Sequence, residues 1–165
     1  MAEAAIERVG IGTDLHRLAV GRRLVLGGVV VPFEKGLQGH SDADVVLHAL
    51  VDAVLGAAGL PDIGELFPDG DVSNKDADSR RLLAVAIQKA AERGWRVVNV
   101  DLVIQAEQPR LSPYKEAIRA SLAELLGISA DRVGVKAKSN EGVDAIGRGE
   151  AIGCTCAVGL GRACD

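Results

Sequence analysis

The sequence predicts an α+β domain in which a mixed β-sheet carries its helices on one face, and three observations lead there. Extended and helical segments follow one another in the order ββ-α-α-β-α-β-β, instead of the strict βα repeat of a doubly wound sheet. One helix, beginning near Ser41, has Val45, Val46, Leu47, Leu50, Val51, Val54 and Leu55 on almost every side, so it must be buried. Twenty glycines with one Trp, one Tyr and two Phe among 165 residues point to close packing of small aliphatic side chains.

The length suits one domain, residues 1–165, with a core of its own. A net charge of −4 argues against general nucleic-acid binding, so an anionic substrate needs local positive charge or a metal. Cys154, Cys156 and Cys164 are odd in number and lack C-x-x-C spacing, which favours reduced thiols over disulfides or a cysteine zinc site. No apolar run approaches ~18 residues and the first residues are short and acidic, so no membrane partner or signal peptide is expected. The expected location is cytosolic, or a plastid stroma if a transit segment has been removed.

Taken in order, Arg8 to His16 reads as a strand whose glycines keep bulk low near its end, and alternation puts Asp14 and His16 on one face. Leu24 to Val31, broken by Gly27-Gly28 and stopped by Pro32, reads as a hairpin or bulged strand pair, and Phe33 to Gly39 as a loop. The buried helix follows. At ~100° per residue, Ser41, Asp44, His48 and Asp52 share an arc of about 80°, the one polar stripe on this helix. Ser41 with Asp44 three positions later also fits a capping box, with Ser41 as the N-cap. A turn at Gly59-Leu60-Pro61-Asp62 leads to an irregular segment through Asp69, and Gly70 to Asp78 reads as a polar surface loop, expected to order over a bound ligand. Asp78 caps a helix from Ser79 to Arg93. Trp95 to Gln105 alternates as a strand with Val98, Val100, Leu102 and Ile104 pointing one way. Ser112-Pro113 opens a helix that ends at Gly127. Strands at Arg132–Ser139 and Ala151–Leu160 close the chain, joined through Gly147-Arg148-Gly149.

Chemistry concentrates at Asp14, His16 and His48. Two imidazoles and a carboxylate suit Zn²⁺ and leave a fourth tetrahedral position open for water or substrate. The other reading is that Asp14 and His16 merely end a strand while His48 is a core residue. The run Lys136 to Glu141 at a strand end can hold phosphates, with Glu141 as an oxygen ligand for Mg²⁺; it is otherwise a solvated strand end. Gly147-Arg148-Gly149 offers a guanidinium and backbone N–H groups to an anion, or is a plain hairpin turn.

Together, Gly12-Thr13-Asp14-Leu15-His16, His40-Ser41-Asp42-Ala43-Asp44 through His48, Asp62-Ile63-Gly64, Leu66-Phe67-Pro68-Asp69, Pro109-Arg110 and Gly147-Arg148-Gly149-Glu150 resemble the 2-C-methyl-D-erythritol 2,4-cyclodiphosphate synthase family. The resemblance runs from about Arg8 to Leu160, in order and at matching spacing. It implies a homotrimer with active sites between subunits and a step of the non-mevalonate isoprenoid pathway. There, 4-diphosphocytidyl-2-C-methyl-D-erythritol 2-phosphate cyclises and CMP leaves. By the same resemblance, Asp14, His16 and His48 bind Zn²⁺ and Glu141 binds the Mg²⁺ or Mn²⁺ that bridges the diphosphate. His40 and Ser41 meet the 2-phosphate and sugar; Asp62, Gly64, Phe67 and Asp69 line the methylerythritol pocket. Ala106, Pro109, Arg110, Leu111, Ala137 and Lys138 form the cytidine pocket, Ser139 touches the diphosphate, Arg148 belongs to the anion-facing turn, and Asp52 is expected to support a ligating imidazole. Ala43 stands where the family commonly has glycine, Lys138-Ser139-Asn140 where a threonine run is frequent, and Asp144-Ala145-Ile146 where Gly-Phe-Thr is usual. The runner-up from the ligand set alone is a zinc-dependent phosphoester hydrolase; a third reading is a trimeric binding module in which zinc only fastens strand to helix.

Overall fold

A thirteen-residue strand, β1 (Arg8–Val20), and the helix laid against it, α1 (Val45–Ala58), form the frame of the molecule. They can touch because β1 has no side chains where the helix crosses. A Cβ on Gly10 would stand 1.9 Å from the Ala53 carbonyl oxygen, and one on Gly12 would stand 2.0 Å from that of Ala49. In α1 every residue is buried except His48, Asp52 and Gly56, which fall at i, i+4 and i+8 and make a single stripe. The computed structural model describes residues 5–39, 41–68 and 78–163.

Between these two elements lie β2 (Leu24–Leu26) and β3 (Val29–Val31), an antiparallel hairpin, and β4 (Lys35–Leu37). Gly27 and Gly28 form the two-residue turn with φ of 59° and 77°, the paired left-handed conformations a tight hairpin demands. The segment expected as a loop after Phe33 contains β4, which pairs with the end of β1 through Leu18–Leu37. Three residues carry too little alternation to announce a strand.

The helix expected near Ser41 begins at Val45, with Asp44 as its N-cap. Ala43 sits at φ 55°, in the left-handed region, so the backbone before Asp44 cannot be helical and Ser41 is no N-cap. The Asp44 carboxylate accepts the N–H groups of Val46 and Leu47 at 3.1 Å, and those of Gly27 and Gly28 at 2.8 and 2.7 Å. One side chain thus caps the helix and fastens the hairpin tip. After α1, Gly59 ends the helix in the left-handed conformation. A one-turn helix, α2 (Ile63–Leu66), occupies the stretch expected to be irregular.

From α3 (Ser79–Glu92), β5 (Trp95–Gln105) continues through α4 (Lys115–Leu126), preceded by a 3₁₀ turn at Ser112–Tyr114, into β6 (Val133–Lys138), which pairs parallel to β5. A short helix, α5 (Asp144–Gly147), and a turn lead to β7 (Ala151–Arg162). The sheet order is β4-β1-β7-β5-β6, antiparallel except for the β5–β6 pair. The fold is therefore mixed α+β, and β7 lies between β1 and β5. Gly147-Arg148-Gly149 is accordingly not a hairpin turn, because β6 and β7 are not neighbours; it belongs to the end of α5 and the turn after it.

The alternation of β5 also breaks. A bulge between Val97 and Asn99 puts Trp95, Val97, Val100, Leu102 and Ile104 toward the common core, while Val98 meets the Gly161 side instead. Cys154 and Cys156 of β7 face the same core, and burial pushes the Cys156 thiol up to about 12 and Cys154 well above its ordinary value. The opposite face of β1 leaves Val9, Ile11 and Leu15 exposed at 72, 71 and 59%. Among the described residues, no helix is long and apolar enough to cross a membrane.

Candidate metal centre and active site

Strand alternation brings Asp14 and His16 to the helix face of β1, and the polar stripe of α1 brings His48 to meet them. Asp14 Oδ2 lies 2.7 Å from His16 Nε2 and 3.1 Å from His48 Nδ1, and the two imidazole nitrogens are 3.1 Å apart. Donors on a tetrahedral ion at ~2.0–2.1 Å stand roughly 3.3 Å from one another, so this triangle fits a divalent cation after a slight opening. All three side chains are only part-buried, which keeps one side open.

Each imidazole has a partner on its far nitrogen. His16 Nδ1 is 3.0 Å from the Gln38 carbonyl oxygen, which accepts only, so in the neutral ring Nδ1 carries the proton and Nε2 offers a lone pair. His48 Nε2 lies 2.9 Å from Ser79 Oγ and 3.2 Å from Ser41 Oγ. Burial works to raise the Asp14 carboxyl, but hydrogen bonds from His16 and His48 and their charge outweigh it and hold Asp14 well below the usual carboxylate range. Burial likewise works to lower His16, and its hydrogen bond to Asp14 and that carboxylate's charge win, raising it above its ordinary value. Asp44, wholly buried behind the site, is pushed up to about 6 by burial while the Gly28, Gly27 and Leu47 N–H groups draw it down.

Next to the triad, a cleft of about 300 Å³ is lined by Gly12, Thr13, Asp52, Gly56 and Asp62. Asp52 feels the charge of His48 but directs its hydrogen bond elsewhere. Its Oδ1 accepts the Ile63 N–H at 2.8 Å and so holds the start of α2, while Asp62 caps the same helix through the Glu65 N–H at 3.0 Å. Two carboxylates divide the work of fixing a four-residue helix that could not stand alone. Gly64 and Phe67 lie in and just after α2, Gly64 exposed and Phe67 partly packed on the core. His40 and Asp69 lie outside the described residues, as does the expected polar loop from Gly70 to Asp78 except for Asp78 itself, the N-cap of the helix that follows.

The sheet register places the remaining residues. Asp14 pairs with Cys154, Cys154 with Ile104, and Ile104 with Ala137, one row across four strands. Three strand spacings of ~4.8 Å put Ala137 about 14 Å from Asp14. Ala106 donates its N–H to the Lys138 carbonyl at 2.9 Å, which gathers Ala106, Ala137, Lys138 and Ser139 at the carboxyl ends of the two parallel strands. Pro109, Arg110 and Leu111 follow in the loop after β5, with Leu111 buried and Arg110 exposed. Glu141 is exposed at φ 51° and does not join the triad. Arg148 pairs with Glu150 at 2.9 Å, so its guanidinium is engaged. Ser79, Asp42 and Gln38 carry roles that sequence reasoning missed. A serine at a helix start and a backbone carbonyl in a loop leave no pattern that distinguishes them.

Comparison with known proteins agrees with this geometry. A model of the YgbB family matches residues 7–161. A 2-C-methyl-D-erythritol 2,4-cyclodiphosphate synthase of Laribacter hongkongensis is 57% identical over 145 residues, covering 88% of this chain and 90% of that protein. Its counterpart in Neisseria gonorrhoeae is 53% identical over 155 residues, covering 94% and 97%. Among solved structures, a 2C-methyl-D-erythritol-2,4-cyclodiphosphate synthase in a CDP-bound form superposes with TM-score 0.87 at 38% identity, covering 93% of this chain and 99% of that one. The bifunctional IspDF of Campylobacter jejuni gives TM-score 0.92 at 40% identity over 96% of this chain, which spans 43% of that longer protein.

Proposed function

Because the chain belongs to the YgbB family, we propose that it cyclises 4-diphosphocytidyl-2-C-methyl-D-erythritol 2-phosphate to 2-C-methyl-D-erythritol 2,4-cyclodiphosphate and releases CMP. The observation that carries this reading is the Asp14–His16–His48 triangle with both imidazoles oriented from behind. The whole chain acts as one synthase domain, a phosphorus–oxygen lyase of the non-mevalonate pathway.

The substrate supplies its own nucleophile. A phosphate monoester with a second pKa of ~6 is largely dianionic at neutral pH, so no general base is required. Its oxygen attacks the β-phosphorus, the bond to CMP breaks, and charge passes to the leaving phosphate. Zn²⁺ at the triad, and Mg²⁺ or Mn²⁺ at Glu141, supply charge neutralisation and orientation. Asp14, His16 and His48 hold their ion beside the cleft, His40 and Ser41 hold the 2-phosphate end, and Asp62, Gly64, Phe67 and Asp69 seat the methylerythritol.

Ala106, Pro109, Arg110, Leu111, Ala137, Lys138 and Ser139 take the cytidine diphosphate of a substrate bound to a neighbouring subunit. The separation of about 14 Å between Asp14 and Ala137 suits a site assembled from two chains. The homotrimer is further supported by Val9, Ile11 and Leu15, an apolar strip on the sheet face turned away from α1. The place of action is the bacterial cytoplasm or a plastid stroma.

Phosphorus NMR of the protein with this substrate and Mg²⁺, before and after zinc is stripped, tests the reading. Equal amounts of CMP and a cyclic diphosphate, formed only with zinc, are expected. Inorganic phosphate without a cyclic product would establish a hydrolase instead.

A further inference from the structure

We propose that Ser79 is a positioning residue of the metal centre: held by Asp42, its hydroxyl fixes His48 in the tautomer that turns Nδ1 toward the ion. The argument starts from the carboxylate. Asp42 accepts three hydrogen bonds, from the Asp44 N–H at 3.2 Å, from the Ser79 N–H at 3.2 Å, and a short one from the Ser79 hydroxyl. A carboxylate can only accept, so the Ser79 proton points at Asp42 and the oxygen's lone pairs face the other way. There His48 Nε2 stands at 2.9 Å. Nε2 meets that lone pair by donating, and a neutral imidazole protonated on Nε2 has its free lone pair on Nδ1, the atom 3.1 Å from both Asp14 Oδ2 and His16 Nε2. Without an ion the Asp14 carboxylate draws the same proton toward Nδ1, and the Ser79–Asp42 bridge is what holds it on Nε2.

The plainer role for a serine at a helix start is capping, and Ser79 does not perform it. The N-cap of α3 is Asp78, whose side chain accepts the Arg80 N–H at 2.9 Å. Ser79 is instead fully buried, with its hydroxyl bridging residues 31 and 37 positions away. Such a bridge stiffens the ligand and raises its basicity. It also frees a second group. Ser41 Oγ, 3.2 Å from the same Nε2, already accepts the Ala43 N–H at 3.1 Å. With Nε2 satisfied by Ser79, the Ser41 proton is available to a substrate phosphate. This last role deepens the cyclase reading and rests on it; the orientation of His48 does not.

The test uses Co²⁺ alone as the probe. Imidazole ¹⁵N NMR of the metal-free wild-type protein at pH 8 should show His48 protonated on Nε2 and not on Nδ1. In Ser79→Ala the two tautomers should mix and the Co²⁺ Kd should rise about ten- to a hundredfold, with Asp42→Asn moving both readouts in the same direction. A merely structural serine would lower the melting temperature and leave tautomer and affinity unchanged. Wild-type His48 protonated on Nδ1, or a folded Ser79→Ala protein whose Kd stays within twofold, overturns the inference. Where Ser79→Ala does not fold, the wild-type spectrum decides. The cyclase reading fails separately, if the wild-type protein binds Co²⁺ as expected but forms no cyclic product.

Discussion

Replacing Gly12 by alanine should damage the metal centre without touching any ligand. The new Cβ would lie 2.0 Å from the Ala49 carbonyl oxygen, whereas ordinary contact begins at 3.4 Å, so helix and strand must separate by about 3.4 − 2.0 = 1.4 Å. The obstacle is backbone, which cannot rotate away. Ala49 follows His48 directly, so much of the displacement is passed to an imidazole whose Nδ1 stands 3.1 Å from its two co-ligands. Overpacking of this kind costs ~1–3 kcal/mol, or about 2–12 °C of melting temperature in a chain of this size. Misplacing a reactive group by ~1 Å costs up to about a hundredfold in function. Calorimetry and Co²⁺ titration of Gly12→Ala should therefore show both losses together. Gly56→Ala is the control: it lies on the same helix with open space around its Cβ, and should leave Co²⁺ affinity unchanged while raising the melting temperature slightly. Unchanged melting and affinity in Gly12→Ala would refute the claim that side-chain-free strand positions set the ligand geometry.

Asp44→Asn turns an amide N–H₂ toward at least one of the backbone N–H groups now satisfied at 2.7–3.1 Å. It should cost ~1–3 kcal/mol, read as a lower urea midpoint with unchanged m-value. His16 is raised above 6.5 in the metal-free fold, so its pairing with Asp14 contributes fully below 6.5 and is lost as pH rises through the raised value. Metal must displace that proton, so affinity should climb with pH by up to about tenfold per unit below the raised value and then level; a chelator competition series from pH 5.5 to 8.5 that stays flat would contradict this. His48→Ala should abolish turnover and high-affinity Co²⁺ binding while circular dichroism and melting stay near wild type, because α1 is anchored by its buried aliphatic side chains and not by the ion. Collapse of the fold in that variant would favour a structural zinc.

The legible parts of this fold are those with a local period. Strand β5 runs over the predicted residues, and α4 ends at Gly127 as its glycine announces. Asp14, His16 and His48 were identifiable because alternation on β1 and the helical stripe on α1 each select one face, and the structure joins those faces. What escaped is non-local or too brief to repeat. The insertion of β7 between β1 and β5 leaves no periodic mark, so the turn at Gly147 read as a hairpin. The expected start of α1 near Ser41 lies four residues before the observed one, because Ala43 is a helix former by type and yet stands in the left-handed region. Asp52 lies on the polar stripe with His48, yet its carboxylate accepts the N–H that starts α2, a contact the helical period cannot announce. Ser79 needed three dimensions, since only folding brings α3 beside His48 and Asp42.

The two cysteines of β7 give the core its own clock. Cys154 and Cys156 lie on the innermost of three long strands, pointing into the core, and their thiols resist ionisation. Alkylation needs a thiolate in contact with solvent. Fraying of β4 or β6 at the sheet edges exposes neither. With Cys164 replaced by serine, the rate of labelling by a small alkylating reagent reports openings of the core between the sheet and α1, with no denaturant in the tube.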